Sequence, residues 1–436
     1  MGAAKPAFHE DRIQAAIGLL ERLLAPYPRR DFRIEFWDGS IWGGEQPRFT
    51  LILRRPGALR RMFLAASELA LGEAYIYDDF DISGDLEAAF GLGDYLLNQT
   101  RSLPERLKLA ALLHKLPGDR PTQPERRPAH LAGFIHSKAR DRKAIGYHYD
   151  LPAEFYSLWL DRRMAYSCAY FDTPEEDLDT AQVHKLDYIC RKLRLRPGDR
   201  LLDVGCGWGG LILHAAKHYH ADALGITLSA PQAEVAGERI RQAGLQSGCR
   251  VAVCDYRDLE GSAQFDKIAS VGMFEHVGEK LLPTYFSQAW RLLKPGGVFL
   301  NHGIAYSATY RRRGPSFIDR YVFPDGELVP LSASLQAAES SGFEVRDVES
   351  LREHYALTLR HWLHRLEEHA GEARQVTSDT TYRIWRIYLS GSAHGFASGR
   401  LNVYQTLLSK PSPHGQSGLP LTREDWYGGN PALPSP

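Results

Sequence analysis

The segment DVGCGWGG (203–210), placed directly after the apolar residues Leu201 and Leu202, constrains the fold more than any other feature of the chain. A strand that runs into closely spaced glycines and then a helix can turn sharply. Gly205 and Gly207 also leave no side chain between the backbone and a ligand. The flanking pattern agrees. DRLLDVGCG reads as a strand, LILHAAKHY as a helix, ADALGITL as a second strand, and SAPQAEVAGERIRQAG as a helix with Ser229 at its N-cap. RVAVCDY, FDKIASVG and GGVFLNHGIA supply three more apolar strands. Alternation of this kind from about residue 197 implies an α/β domain, with a largely parallel sheet covered by helices and ligands at the carboxyl ends of its strands.

Several cofactor classes use a glycine turn after a first strand. The dinucleotide fingerprint also needs a third glycine in a fixed place and an acid about 20 residues on. Here the spacing is G-C-G-W-G, and the second strand ends Gly225-Ile226-Thr227-Leu228 without an acid. No GxxxxGK[ST] phosphate loop occurs in the chain. Both facts argue against nicotinamide dinucleotides and nucleoside triphosphates.

The remaining residues divide the chain further. Ile13, Ile17, Leu20 and Leu24 sit at helical spacing, FRIEFWDGSIW alternates before an Asp-Gly turn, and FTLILRR is a further strand. GEAYIYDDFDISGDLEAAF reads as a turn-rich passage entering a helix. Residues 1–120 therefore predict a smaller α+β domain without a catalytic cluster, expected to associate with lipid or substrate, and 121–143 a basic, Pro-rich linker. Residues 144–410 form the catalytic domain and 411–436 a Pro-rich tail, loosely ordered, with Trp426 and Tyr427 docked. Net formal charge is zero, so no global field draws the protein to nucleic acid or lipid. Between Arg101 and Lys143, however, eleven Lys/Arg stand against four Asp/Glu. Leu107, Leu109, Leu112, Leu113 and Leu116 alternate there with Arg106, Lys108 and Lys115. That stretch reads either as a docking helix with a solvated basic face or as a surface for anionic headgroups. Five cysteines without a CxxC pair fit free thiols in a reducing compartment, and no secretory leader or membrane span is read. The expected location is the cytoplasm, with peripheral association at the inner face of the membrane.

YHYDLPAEFY, YSCAYFD, LLDVGCGWGG, GITLSAPQ, FDKIASVGMFEHVG and HYALTLRHW, in this order, resemble the cyclopropane fatty acid synthases and their mycolic acid relatives. The resemblance covers about residues 145–410 and extends more weakly into GEAYIYDDFDI, as in the bacterial phospholipid enzymes. It implies a Rossmann-like class I fold that binds S-adenosylmethionine. On matching positions, Tyr166 and Ser167 touch the methionine end, and Gly205 and Gly207 cradle the cofactor. Thr227, Leu228 and Gln232 line the ribose and adenosine side, and Tyr256 and Arg257 contact the adenine. The resemblance further implies that Cys168, Glu275, His302 and Tyr355, with the backbone of Ile304, hold a bicarbonate ion that acts as base. It assigns no metal, and similar bacterial enzymes suggest a homodimer.

The chemistry explains why such groups are needed. An alkene held in line with a sulfonium methyl needs positioning more than activation. Attack leaves a carbocation, whose new methyl must lose a proton to a nearby base if a ring is to close. Each candidate also has a plainer reading. Cys168 can be a buried apolar residue, His302 a bonded core histidine, Tyr355 packing, and His276 a partner orienting Glu275. Tyr147, Tyr149, Phe155, Tyr156, Tyr166, Tyr170, Phe171 and Phe274 can face the cation or simply fill the core. Residues 382–408 read as an aromatic-rich helix with a glycine break, like the family's lipid-covering helices. The expected reaction is cyclopropane formation on cis-unsaturated acyl chains of membrane phospholipid. The alternatives are methyl or methylene branching of the same chains, amine N-methylation, and a non-enzymatic membrane-binding protein on the same scaffold.

Overall fold

A computed structural model of the chain describes residues 5–65, 67–99, 102–118, 126–149, 151–309 and 316–427. It divides into two compact units. The first comprises Met1–Pro128, Gly314–Val322 and Ser378–His394; the second comprises Ala129–Arg313, Phe323–Thr377 and Gly395–Pro436.

In the second unit the five strands expected from the apolar runs are present: β5 (Arg200–Val204), β6 (Asp222–Thr227), β7 (Cys249–Val253), β8 (Phe265–Val271) and β9 (Leu293–Tyr306). They are mutually parallel in the order β9-β8-β5-β6-β7. Two further strands complete the sheet, β10 (Glu344–Ser350) at its edge and β11 (Leu401–Ser409) between β10 and β9, with β11 antiparallel to both. The C-terminal segment read as helices is thus a helix, Asp379–Ala397, followed by a strand. The mixed α/β fold with its parallel core is the one expected. Its two apolar layers lie on opposite faces of the sheet, one led by Leu193, Leu201, Ile212 and Leu300, the other by Leu202, Ile268, Phe286 and Phe299. Trp426 is buried in the first layer, with Lys192 and Arg194 over its ring, whereas Tyr427 is exposed.

The first unit is a four-stranded mixed sheet in the order β2-β1-β3-β4: β1 (Phe32–Glu35), β2 (Ile41–Gly43), β3 (Phe49–Leu53) and β4 (Phe80–Gly84). The Asp-Gly signal marks the β1–β2 hairpin, with Gly39 at φ +84°. Two stretches that a linear reading places in the second domain complete this unit, and their chemistry shows why. Arg383 is buried, and its guanidinium donates to the carbonyls of Tyr75 and Phe80 (2.9 and 2.7 Å) and to Asp81 (3.1 Å) while lying 4.2 Å from the Tyr75 ring centroid. Gly72 is bare because a Cβ there would stand 2.4 Å from the Phe317 ring. Among the described residues no helix is long and apolar enough to cross a membrane.

Candidate active site

At the carboxyl ends of β5, β6 and β7 the second unit opens into a cleft of about 1080 Å³, its mouth included. Tyr166, Ser167, Gly205, Gly207, Thr227, Leu228, Gln232, Tyr256 and Arg257 all line it. The turn after β5 is closed by Gly205 and Cys206, whose N–H groups both donate to Ile226 of β6 (2.9 and 3.0 Å). Gly205 has φ +84°, and a Cβ on it would lie 2.6 Å from Cβ of Met273. Gly205→Ala is therefore expected to weaken S-adenosylhomocysteine binding by about tenfold or more in calorimetry, through backbone strain at the turn itself.

On the facing wall, Thr227 Oγ1 donates to Gln232 Oε1 (2.9 Å) and accepts from Ser229 N–H (3.2 Å). Ser229 in turn caps the helix Ala230–Gln242, as expected. Hydroxyl and amide thus stand where dinucleotide folds carry an acid. Arg257 is committed to the protein. Its guanidinium donates to Asp255 (2.8 and 2.6 Å), to Asp141 (2.8 Å) and to the carbonyl of His136 (2.9 Å). It fastens the helix Lys138–Tyr149 to the end of β7. Tyr256, by contrast, keeps a buried hydroxyl without a protein partner, and burial pushes its pKa up to about 12.

Reading by motif missed Lys185 and Asp203, which also line the cleft. Lys185 is only 2 % exposed, and its Nζ donates to Ser167 Oγ (2.8 Å). Burial lowers its pKa to about 8, against the opposing charges of Asp161 and Asp203. Burial raises Asp203 to about 7, with Lys185 pulling it back, and its Oδ1 has no hydrogen-bond partner. One helical turn before Lys185, Gln182 donates to the carbonyls of Ala165 and Ser167 (3.2 and 2.9 Å). The signal was present: Leu178, Ala181, Gln182, Lys185, Leu186 and Ile189 share one stripe of the helix Leu178–Leu193, a polar pair on an apolar face.

Cys168, Glu275, His302 and Tyr355 do not line the cleft but form a second group linked through backbone. The Glu275 turn follows β8, and Glu275 Oε1 accepts from Ile304 N–H of β9 (2.7 Å). Glu275 Oε2 is shielded from solvent without a partner, and burial raises the carboxyl to about 7. His302, two residues before Ile304, accepts at Nδ1 from Gln405 Nε2 of β11 (3.3 Å), so its proton resides on Nε2, which has no partner. Burial first, then the charges of Lys185 and Lys192, lower its pKa to about 3, and the ring is neutral. Cys168 is fully buried, and burial holds its thiol far above the usual range; Sγ donates to the carbonyls of Ala169 (3.2 Å) and Leu351 (3.7 Å). The same Leu351 carbonyl accepts from Tyr355 N–H, and Leu351 N–H reaches Val403, which pairs with Ile304. The Ile304 backbone, assigned to an anion by resemblance, thus has its N–H occupied by Glu275.

Among the aromatics, Tyr149 and Tyr166 reach the cleft, as does Trp208, whose ring lies 4.9 Å from that of Tyr156. Phe155 and Tyr156 are fully buried, Phe274 belongs to the core, and Tyr170 and Phe171 stack on His354 and His361. His276 lines the cleft and is kept neutral by burial, at about 4.

This sheet order, the glycine turn and a cleft able to take an adenosyl cofactor define an S-adenosylmethionine-dependent methyltransferase. The family model described as mycolic acid cyclopropane synthetase matches residues 136–406, and the chain belongs to that family, as a methyltransferase of the cyclopropane-synthase type. A domain of unknown function matches residues 19–92. A probable fatty acid methyltransferase of Pseudomonas putida is 42 % identical over 91 % of this chain and 96 % of its own length. The cyclopropane-fatty-acyl-phospholipid synthase of Escherichia coli K12 is 39 % identical over 62 % of this chain and 68 % of its own. Mycolic acid cyclopropane synthase CmaA1, solved with S-adenosylhomocysteine and CTAB, superimposes with a TM-score of 0.58 at 34 % identity, over 61 % of this chain and 97 % of that one.

Proposed function

We propose that the enzyme transfers a methylene unit from S-adenosylmethionine to the cis double bond of an unsaturated phospholipid acyl chain, forming a cyclopropane ring. S-adenosylmethionine, when bound in the cleft, supplies a methyl group made electrophilic by its sulfonium. The π electrons of the alkene form the new carbon–carbon bond as the sulfur–methyl bond breaks, releasing S-adenosylhomocysteine and leaving a cation on the acyl chain. A proton must then leave the new methyl so that the C–H electron pair can close the ring.

The observation that supports ring closure most is the Glu275 carboxyl, raised to about 7, with Oε2 unpartnered. A carboxylate so raised accepts a proton near neutral pH far better than an ordinary one, and Oε2 is the atom that would hold it. Neutral His302, with an N–H donor at Nε2, and the undissociated Cys168 thiol add polarity to this pocket without adding charge. The His302 Nε2–H, buried and without a partner, is the donor an anion would use there. Bicarbonate held among Cys168, Glu275, His302 and Tyr355 would supply a second base there. Tyr166, Ser167, Gly205, Gly207, Thr227, Leu228, Gln232 and Tyr256 hold the cofactor in this reading, and Arg257 acts by fixing Asp255 and Asp141.

The test is incubation with methyl-deuterated S-adenosylmethionine, bicarbonate and monounsaturated phospholipid vesicles, followed by mass spectrometry of the fatty acids. A product that has lost one deuterium from the transferred methyl, and that opens to methyl isomers on hydrogenation, supports the proposal. The name of the Pseudomonas putida relative, matched almost end to end, favours a second reading in which the cation becomes a methyl or methylene branch. Such a product resists ring-opening.

Contact with the bilayer is assigned to the helix Leu103–His114. Leu103 and Leu107 are 68 % and 64 % exposed beside the exposed Arg106 and Lys108. Lys138 and Arg140, later in the same basic stretch, are instead paired with Asp258 and Asp325. Reversing both Arg106 and Lys108 to Glu should weaken binding to anionic vesicles by about tenfold or more at low salt, and far less at high salt. Equal binding at both salt concentrations would remove this assignment.

A further inference from the structure

The first unit contains an apolar cleft of about 780 Å³, its open mouth included, that the proposed reaction does not use. Ile34 of β1, Leu51 of β3 and Ile82 of β4 line one side of it, and the helices Lys5–Leu24, Ala58–Leu64 and Leu86–Asn98 supply other walls. No lining side chain carries a nitrogen or an oxygen. Phe63, Leu71 and Phe90 in its lining are only half-buried, so the chamber opens through apolar side chains. Water gains little in such a space, whereas hydrocarbon gains from leaving solvent.

The helix Leu86–Asn98 adds an independent observation. It carries Gly91 and Gly93 in its interior, where glycine is less favourable than alanine. A Cβ on either would meet nothing within 4 Å, and neither has a positive φ. Neither close packing nor a turn requires these glycines. Gly93 lines the cavity, and its missing side chain enlarges it.

With no polar group inside, an occupant must enter chain-first and leave its polar end outside. The same unit exposes Leu103 and Leu107 beside Arg106 and Lys108, a combination complementary to an anionic phospholipid surface. We propose that this cavity takes one acyl chain of an anionic membrane phospholipid, a lipid site additional to the methyl-transfer site. It does not rest on the ring-forming reading.

The test uses the full-length protein irradiated with vesicles of phosphatidylglycerol bearing a diazirine in one acyl chain, followed by peptide mapping. Label is expected in peptides carrying Phe63, Leu92 or Leu96. Gly93→Leu should reduce that label by about tenfold by filling the space, while Gly91→Leu, in the same helix but outside the lining, leaves it unchanged. Ala89→Leu serves in place of Gly93→Leu if the latter loses its native melting transition. Label confined to residues 129–313, or undiminished by the filling variants, overturns the proposal. A diazirine fatty acid that labels the same peptides as strongly as the phospholipid overturns its phospholipid part. Methyl transfer to detergent-dispersed monounsaturated lipid is assayed in parallel. Label without any methyl transfer sinks the proposed reaction and leaves the acyl site standing, and methyl transfer without label does the reverse.

Discussion

Glu275→Gln should reduce lipid product formation by about two to four orders of magnitude, the usual contribution of a positioned acid–base group. S-adenosylhomocysteine affinity should stay within about twofold of wild type, since a change of that size is only a few tenths of a kcal/mol. The separation follows from placement, because Glu275 does not line the cofactor cleft. The same variant should become more stable than wild type at alkaline pH. The Glu275 carboxyl titrates from a reference of 4.5 but near 7 in the folded protein. Between these values the folded chain holds a proton that the unfolded chain has released. The favourable state is therefore complete below about pH 4.5 and is lost as pH rises through 7. A shift of this size corresponds to about 3 kcal/mol of destabilisation at high pH, which glutamine does not suffer. Denaturant melts at pH 5 and 8.5 check this. Parallel stabilities of the two proteins across that range would show that the carboxyl is not held near neutrality.

The second large effect is expected at Lys185. Lys185→Met removes the donor to Ser167 Oγ and the counter-charge to Asp203 and Asp161, both buried. Breaking one side of a buried charged pair costs about 3–5 kcal/mol. The loss should be greatest above pH 7, where Asp203 would have to ionise alone. Adding Asp203→Asn to Lys185→Met should recover part of the stability, because Asp203 no longer has to ionise alone, while Asp161 is left with only the N–H groups of Arg163 and Ala165. Cofactor binding should not recover, since the Ser167 hydroxyl still lacks its Lys185 donor at the cleft. Calorimetric titration with S-adenosylhomocysteine and melts of the three variants separate these effects. A double variant as unstable as Lys185→Met would show that lost packing, rather than charge, is responsible.

Much of this protein was legible because its information is local. The glycine turn, the Ser229 cap and the five parallel strands each follow from residues adjacent in sequence, and the α/β class and family follow from them. The edge of the sheet was not legible. β10 carries Glu344, Arg346, Asp347 and Glu349, the charged pattern by which edge strands discourage association, and so lacks an apolar signal. β11 fails for a related reason: Gln405–Ser409 is buried throughout although Gln405, Thr406 and Ser409 are polar, so neither alternation nor an apolar run marks it as a strand. At the site, the nine cofactor candidates share one wall-to-wall cleft, but the roles of Arg257 and Lys185 needed three dimensions. Arg257 faces Asp141, 116 residues away in the chain. Lys185 became visible only when its stripe was seen to face the end of β5. No local pattern told Gly314–Val322 and Ser378–His394 that they belong to the first unit.

Tyr75, Phe80 and Asp81 are organised by Arg383, which the ribosome reaches about 300 residues later. At roughly 5–20 residues per second, the amino-terminal portion waits on the order of 15–60 s for its keystone guanidinium. Meanwhile its apolar cleft and leucine-studded helix are already outside the ribosome, unfinished. A nascent chain in that condition is a client for chaperones or for a nearby bilayer. Its most exposed interval therefore falls before the methyl-transfer unit has been fully translated.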